Sequence, residues 1–226
     1  MIDGASVVGV IPARGGSKVV PRKNVRDAGG RPLLAWTIDA ARGSRYLDRT
    51  ILSSDDAEII AVARAHGCDA PFVRAGHLAG DDTSTLEVVL DALERCPGYP
   101  WVVVLQPTSP LRTARDIDAA IDRCVEARAP ACVSVCLAHE SPYWMYSLGD
   151  RGHLKPLLPD TGLTRRQDLP PVYHLNGAVY VARTDWLARE RTFVSAETVG
   201  YEMPIDRSLD VDTERDFLLL DALLRA

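Results

Sequence analysis

Short β-branched apolar runs alternate with helix-length amphipathic runs along this chain, and that rhythm limits its fold more than any other feature. "SVVGVI" reads as a first strand, and "PLLAWTIDAAR" then places Leu33, Leu34, Trp36, Thr37, Ile38 and Ala41 on one helical stripe. "RTILSS" reads as a second strand. It stops at "DDAEIIAVARAHG", where Asp55 or Asp56 can cap a helix that closes at Gly67. "DAPFVRA" reads as a short strand and loop, and "DDTSTLEVVLDALERC" as a helix opening on cap residues. The apolar "WVVVLQ" suits a central strand covered on both faces. "TARDIDAAIDRCVEAR" is the next helix, with Thr113 as its cap, and "ACVSVCL" and "LNGAVYVA" are further strands. Near the end, Thr213 can cap a last helix with Asp216 at its third position. Such alternation predicts an α/β sandwich around a largely parallel sheet. Ligands of these sheets bind beyond the carboxyl ends of the strands, which directs attention to residues 12–24, 53–56, 74–85 and 106–112.

From about residue 139 to 173 the rhythm breaks. This stretch is rich in Pro, Gly and aromatic residues, and it reads as either a long functional loop or a β-hairpin arm turning at "LGDRGH". No internal repeat and no low-complexity segment interrupts the rest. The expectation is one domain over residues 1–226, with 139–173 inserted in it as an arm.

A net charge of −5 on 226 residues argues against a nucleic-acid surface, so the cations near the N-terminus form a local feature. No apolar run approaches the ~18–20 residues that span a bilayer, and the N-terminus lacks the basic and apolar regions of a signal peptide. Cys68, Cys96, Cys124, Cys132 and Cys136 are odd in number and form no CxxC pair. They read as reduced, buried thiols of a cytoplasmic protein rather than a disulfide or zinc framework. The histidines are scattered and read as surface or capping residues.

The first strand opens into "IPARGGSKVVPRKN", residues 11–24. Gly15 and Gly16 allow backbone N–H groups to approach a ligand closely. Arg14, Lys18, Arg22 and Lys23 add cations at the same place, and Pro12 and Pro21 stiffen its ends. The loop reads as a cradle for a nucleoside triphosphate or, more simply, as a solvated basic loop. It is neither GxxxxGK[ST] nor GxGxxG. Near the other end of the chain, Asp210 and Asp212 stand at i and i+2, which in an extended segment puts both carboxylates on one side. They suit a hard cation, or a helix cap and a solvent-facing acid.

With "LQPTSPLR" (105–112), "RRQDLPPVYHLNGAVYV" (165–181) and "SLDVDTERDF" (208–217), the basic loop resembles the motifs of the acylneuraminate cytidylyltransferase family, in order over almost the whole chain. The resemblance implies a Rossmann-like α/β nucleotidyltransferase fold, a homodimer with a small dimerisation arm, and CMP transfer from CTP to an acidic sugar with Mg²⁺. It implies that Arg14, Gly15, Gly16, Ser17, Lys18, Lys23 and Asn24 hold the CTP, with Arg74, Thr83 and Ser84 also on the nucleotide. Arg14, Lys23 and Asp212 would carry the catalytic weight. Asp210 and Asp212 would be the magnesium ligands, and Gln106, Arg166, Gln167, Asn176 and Tyr180 would face the acceptor. Read as residues alone, Thr83 and Ser84 are equally ordinary helix caps, Gln106 could satisfy a buried backbone group, Arg165 and Arg166 could be a surface pair, and Arg112 could be structural or phosphate-facing.

Two departures from the family pattern stand out. Val19 replaces the usual glycine after "SK", and a β-branched residue resists positive φ. The arm also lacks the lysine that bacterial CMP-sialic acid enzymes carry, offering Tyr143, Trp144 and Tyr146 instead. The expected acceptor is a nonulosonic, sialic-acid-like sugar. A small phosphonate or another acid is the alternative, and a catalytically silent nucleotide-binding module is the reading from a different class.

Overall fold

The computed structural model describes residues 1–2, 4–159, 162 and 165–225. In chain order the elements are β1 (Val7–Pro12), α1 (Leu33–Arg42), β2 (Arg49–Ser53), α2 (Ala57–Ala65), α3 (Thr85–Arg95), β3 (Trp101–Val104), α4 (Ala114–Glu126), β4 (Ala131–Leu137), β5 (Tyr146–Leu148), β6 (Leu154–Pro156), β7 (Tyr173–Arg183), α5 (Thr184–Glu190), β8 (Thr198–Glu202) and α6 (Glu214–Arg225). The main sheet runs β2-β1-β3-β7-β4-β8. β1 pairs in parallel with β2 and β3, and β4 with β8, while β7 is antiparallel to both β3 and β4. The result is the expected Rossmann-like sandwich, its parallel order broken only at β7.

Alternation along the strands divides the core. Val8 and Val10 of β1 face one side, with Val89 and Ala92 of α3 and Trp186 and Leu187 of α5. Ile11 and Leu52 face the other, with Ile38 of α1, Ile59 of α2, and Ile117 and Ile121 of α4. The stripe expected on α1 is buried except at Trp36, which donates its indole N–H to the Ala28 carbonyl at 2.9 Å and lies under the Arg31 guanidinium. All five cysteines are free and buried. Burial pushes the thiols of Cys68, Cys124 and Cys132 up to about 12, so they are inert at neutral pH.

Local capping chemistry sets the helix starts. Asp56 accepts from the Glu58 and Ile59 N–H groups and so caps α2, which decides between the two adjacent acids. Asp116 bonds back to Thr113 N–H at 2.9 Å at the start of α4, and Asp216 does the same to Thr213 at 2.7 Å. Two strand expectations change. Residues 71–73 form no strand, because only Asp69 bridges to β2 before the chain leaves the sheet. "TVGYE" adds β8 at the sheet edge; it is short and half exposed, so it carries no apolar run to betray it.

A third, smaller cluster fixes the site. Val20 of the basic loop, Val211, and Phe217 and Leu220 of α6 are buried together with Ala28 and Leu33. The basic loop and the Asp210–Asp212 segment are thus pinned to one apolar patch. Val19 beside it is exposed and needs no left-handed backbone; the positive φ falls at Arg22 instead, at 58°.

Within residues 139–173 the arm contains the two-stranded β5-β6 hairpin, with Leu148, Leu154 and Leu157 exposed. Residues 160, 161, 163 and 164 of the expected arm lie outside the described residues.

Candidate active site

A cleft of about 280 Å³ opens at the carboxyl ends of β1 and β3. Arg14, Ser17, Lys23, Asn24, Arg74, Thr83 and Gln106 line it, together with Thr85, Thr108, Gly80 and Asp81. Residues drawn from four separated sequence segments therefore meet in one place. A roomier groove of about 640 Å³ lies at the opposite end of the sheet. Its Arg183 and Arg189 pair with Asp185 and Glu190, and none of its lining residues comes from the four motif segments, whereas the smaller cleft is built largely from the loops that follow strands.

The basic loop is held from within. Asn24 is buried and donates its side-chain amide to the Arg14 carbonyl at 3.0 Å, closing the loop on itself. Arg14 reaches the Gly80 carbonyl at 3.0 Å and Asp81 at 2.9 Å, and Lys18 takes the other Asp81 oxygen. These bonds hold the Asp81 carboxyl below the usual range, Lys18 contributing most. Gly15 departs from the simple cradle picture. Its N–H is engaged by Asp55 at 3.1 Å, and a Cβ there would stand 2.8 Å from Asp56 Oδ2, so close packing on the acid pair requires the glycine. A Cβ on Gly16 would meet open space. Arg22 turns away to pair with Glu58.

Beside the cleft, Val211 is buried in the small apolar cluster, and its neighbours Asp210 and Asp212 are turned out of it. The Val211 N–H donates to the Thr108 carbonyl at 2.8 Å, tying the segment to the loop after β3. Asp212 Oδ1 accepts from Lys23 Nζ at 2.7 Å. The Asp210 carboxyl is pushed above its usual range, chiefly by desolvation and further by the charges of Asp212 and Asp216, against the Thr108 bond and Lys23. Excess negative charge of this kind suits a hard divalent cation, which binds carboxylates and keeps waters in its remaining positions. Among the described residues no cluster of three or more acidic, His or Cys side chains forms a fuller cage.

Gln106 follows β3 and faces the β7 bulge. Gly177, at φ +75°, makes room for it: a Cβ there would lie 2.7 Å from Gln106 Oε1 and 4.0 Å from Asp210 Oδ2. Arg112 resolves as structural. It is fully buried, donates to the carbonyls of Gln106 at 3.2 Å and Ala178 at 3.0 Å, and burial lowers its guanidinium to about 9.

Several expected site residues are used elsewhere in this chain. Ser84 caps α3 through a reciprocal bond pair with Glu87, leaving Thr83 and Thr85 to face the cleft. Asn176 is buried and largely engaged within the protein: it accepts from Ser134 at 2.6 Å and from the Ala178 N–H at 3.2 Å, and donates to Ser208 at 2.9 Å. These bonds shape the bulge of β7. Tyr180 packs half-buried on Phe193, ring centroids 5.3 Å apart. Arg166 and Gln167 line a separate cavity of about 410 Å³ at the base of the arm, beside Leu137 and Ser141. Sequence reasoning marked the segments of Asp55, Asp81 and Thr108 as lying after strands but gave these residues no site role, because the partners that place them are remote in sequence.

A family model described as cytidylyltransferase matches residues 8–153. The chain is 33% identical to a CMP-N,N'-diacetyllegionaminic acid synthase of Legionella pneumophila, covering 96% of each. It is 33% identical to a pseudaminic acid cytidylyltransferase of Campylobacter jejuni, covering 92% of this chain and 91% of that one. An N-acylneuraminate cytidylyltransferase of Streptococcus agalactiae is 32% identical over 92% of this chain, which spans 51% of that longer protein. Among solved structures, a CMP:2-keto-3-deoxy-manno-octonic acid synthetase complexed with CTP superposes with a TM-score of 0.74 at 17% identity, covering 98% of this chain and 99% of that one. At that identity the likeness speaks for the fold.

Proposed function

This chain belongs to the cytidylyltransferase family, and from that premise we propose the site roles, the metal and the assembly through which it transfers CMP from CTP to a nonulosonic acid. The reaction forms a bond between an acceptor oxygen and the α-phosphorus of CTP, breaks the bond from that phosphorus to the bridging oxygen, and releases pyrophosphate. Such a transfer needs in-line positioning and charge neutralisation more than covalent help from the protein. Arg14, Lys18 and Lys23 hold the triphosphate, Arg14 bidentately and the lysines as mobile point charges. Arg74, Thr83 and Thr85 hold the nucleoside, and Gln106 orients the acceptor. Asp210 and Asp212 are the residues to hold Mg²⁺, which when bound offsets phosphate charge and helps align the reacting oxygens.

The observation that carries this reading is the Lys23–Asp212 contact, which joins the basic loop lining the cleft to the two-aspartate segment beside it. Exposed Leu148, Leu154 and Leu157 on the arm, with Tyr146 beside them, support a homodimer built on that hairpin. Exchange of arms is the arrangement that would bring Arg166 and Gln167 to the acceptor in the neighbouring protomer. The protein then works as a CTP-dependent biosynthetic enzyme. The test is an acceptor panel of N-acetylneuraminate, legionaminate- and pseudaminate-type sugars and simple phosphonates, with CTP and Mg²⁺. Turnover confined to nonulosonates supports the reading; turnover with a phosphonate alone would move the acceptor to another class.

A further inference from the structure

Asp55 and Asp56 follow β2 as adjacent acids, and they serve opposite sides. Asp56 caps α2, accepting from the Glu58 and Ile59 N–H groups at 2.9 Å each. Asp55 turns to the basic loop and to Arg74. Its Oδ1 accepts from the Gly15 N–H at 3.1 Å and from Arg74 Nη2 at 3.2 Å. One carboxylate oxygen thus joins the basic loop after β1 to the arginine on the nucleotide wall.

Arg74 needs such a partner. It is 4% exposed, and a guanidinium buried that far is costly unless it is paired. The Arg74 N–H also donates to the Ser54 carbonyl at 2.8 Å, so the Ser54–Asp55 pair grips the residue at both its backbone and its fork. Arg74 Nε is buried and has no protein partner, while the side chain lines the cleft. Buried polar groups are nearly always satisfied, and an open donor in a cleft wall points to an acceptor on the ligand.

We infer that Asp55 is a positioning residue for the pyrimidine nucleotide: it fixes the Arg74 guanidinium so that its free Nε–H meets an acceptor on the nucleotide, and it ties the triphosphate loop to the same anchor. The inference rests on the reading of this cleft as the CTP site. Asp55 itself touches no phosphate; a carboxylate there would repel one, and its effect passes through Arg74 and Gly15.

The test is calorimetric titration of the full chain with CTP and with UTP, without acceptor. Asp55→Asn keeps the size and removes the charge. Its CTP Kd should rise about tenfold and its preference for CTP over UTP should fall, its melting temperature should drop because the buried Arg74 loses its charged partner, and its KM for the acceptor should be unchanged. Combined with Arg74→Lys, its loss of CTP affinity should be less than additive, only the share carried by the Gly15 bond remaining. Should Asp55→Asn fail to fold, Asp55→Glu keeps the charge and displaces it by one methylene, and the CTP preference should still fall. Wild-type affinity and selectivity in the folded Asp55 variants, or fully additive losses in the double variant, would overturn the inference alone. A wild-type chain that bound no CTP would overturn the reading of the cleft and the inference with it.

Discussion

Lys23 Nζ lies 2.7 Å from Asp212 Oδ1, across 189 positions of sequence. The contact is set by two valines, Val20 and Val211, buried in the same small cluster. Lys23 is the less exposed partner, its side chain 14% accessible and lining the cleft, whereas Asp212 is 65% accessible. Apolar packing brings together the lysine proposed to hold the triphosphate and the aspartate proposed to hold the metal, and a divalent ion with CTP would divide the pair between them.

Asp212→Asn is therefore expected to lower kcat by about a hundredfold or more, the scale seen when electrostatic stabilisation of a transition state is removed. CTP binding without metal should change little. Steady-state pyrophosphate release and metal-free calorimetry read the two separately; near-normal turnover would take Asp212 out of the metal site.

Asp81 carries the opposite expectation. It occupies Arg14 and Lys18 at once and so stands where a phosphate oxygen would be bound. Asp81→Asn frees both cations, and the CTP Kd should fall a few-fold at low salt, with the gain shrinking as ionic strength rises. A weaker CTP complex would mean that Asp81 contributes to binding instead of competing with it.

Asp210 gives a pH-dependent signature. Its carboxyl is raised above the ordinary value, so the folded state holds the proton more tightly than the unfolded chain. Stability contributed by this group is then lost as pH rises through the raised value. Asp210→Asn should melt higher than wild type at pH 7 to 8, and the difference should close as pH falls toward about 4, the ordinary carboxylate range. Mg²⁺ should raise the melting temperature of wild type more than that of the variant. Thermal melts over pH, with and without Mg²⁺, check both points.

Asp116 behaves the other way. It is the buried acid under Arg207, accepting from its Nε at 3.0 Å and Nη2 at 2.8 Å, from Tyr201 at 3.0 Å, and from Thr113. Burial raises its carboxyl, but the bonds from Arg207, Thr113 and Tyr201 outweigh that and hold it below the usual range. Its stabilisation is present above the ordinary carboxylate value and is lost as pH falls through the lowered one. Asp116→Asn should destabilise by about 2–4 kcal/mol at pH 7, discounted for the partly exposed Arg207, and by less near pH 3. Urea unfolding at the two pH values measures it.

What could be read from the sequence was local. Strand runs, helix stripes and the caps at Asp56, Thr113 and Thr213 depend on neighbours a few residues away, and they appear where the pattern put them. The basic loop was legible from its glycines and cations, although nothing in that pattern signalled that Gly15 must be small to pack on Asp56. β8 was not legible, because an edge strand with Gly200 at its centre has no apolar signal. Nor were Asp55 and Asp116, whose partners lie 19 and 91 residues away at Arg74 and Arg207. Asn176 shows a role its motif did not carry: its amide oxygen and one of its N–H groups tie the β7 bulge to Ser134 and Ser208.

The most direct test of the account is label transfer from CTP carrying ³²P at the α-phosphorus, with Mg²⁺ and N,N'-diacetyllegionaminate, wild type beside Asp212→Asn. The account predicts that wild type moves the label into a CMP-linked acid and releases one unlabelled pyrophosphate per transfer, while the variant is slower by about a hundredfold or more. Label that stays in CTP, or appears only as free CMP whichever nonulosonate is supplied, would contradict it.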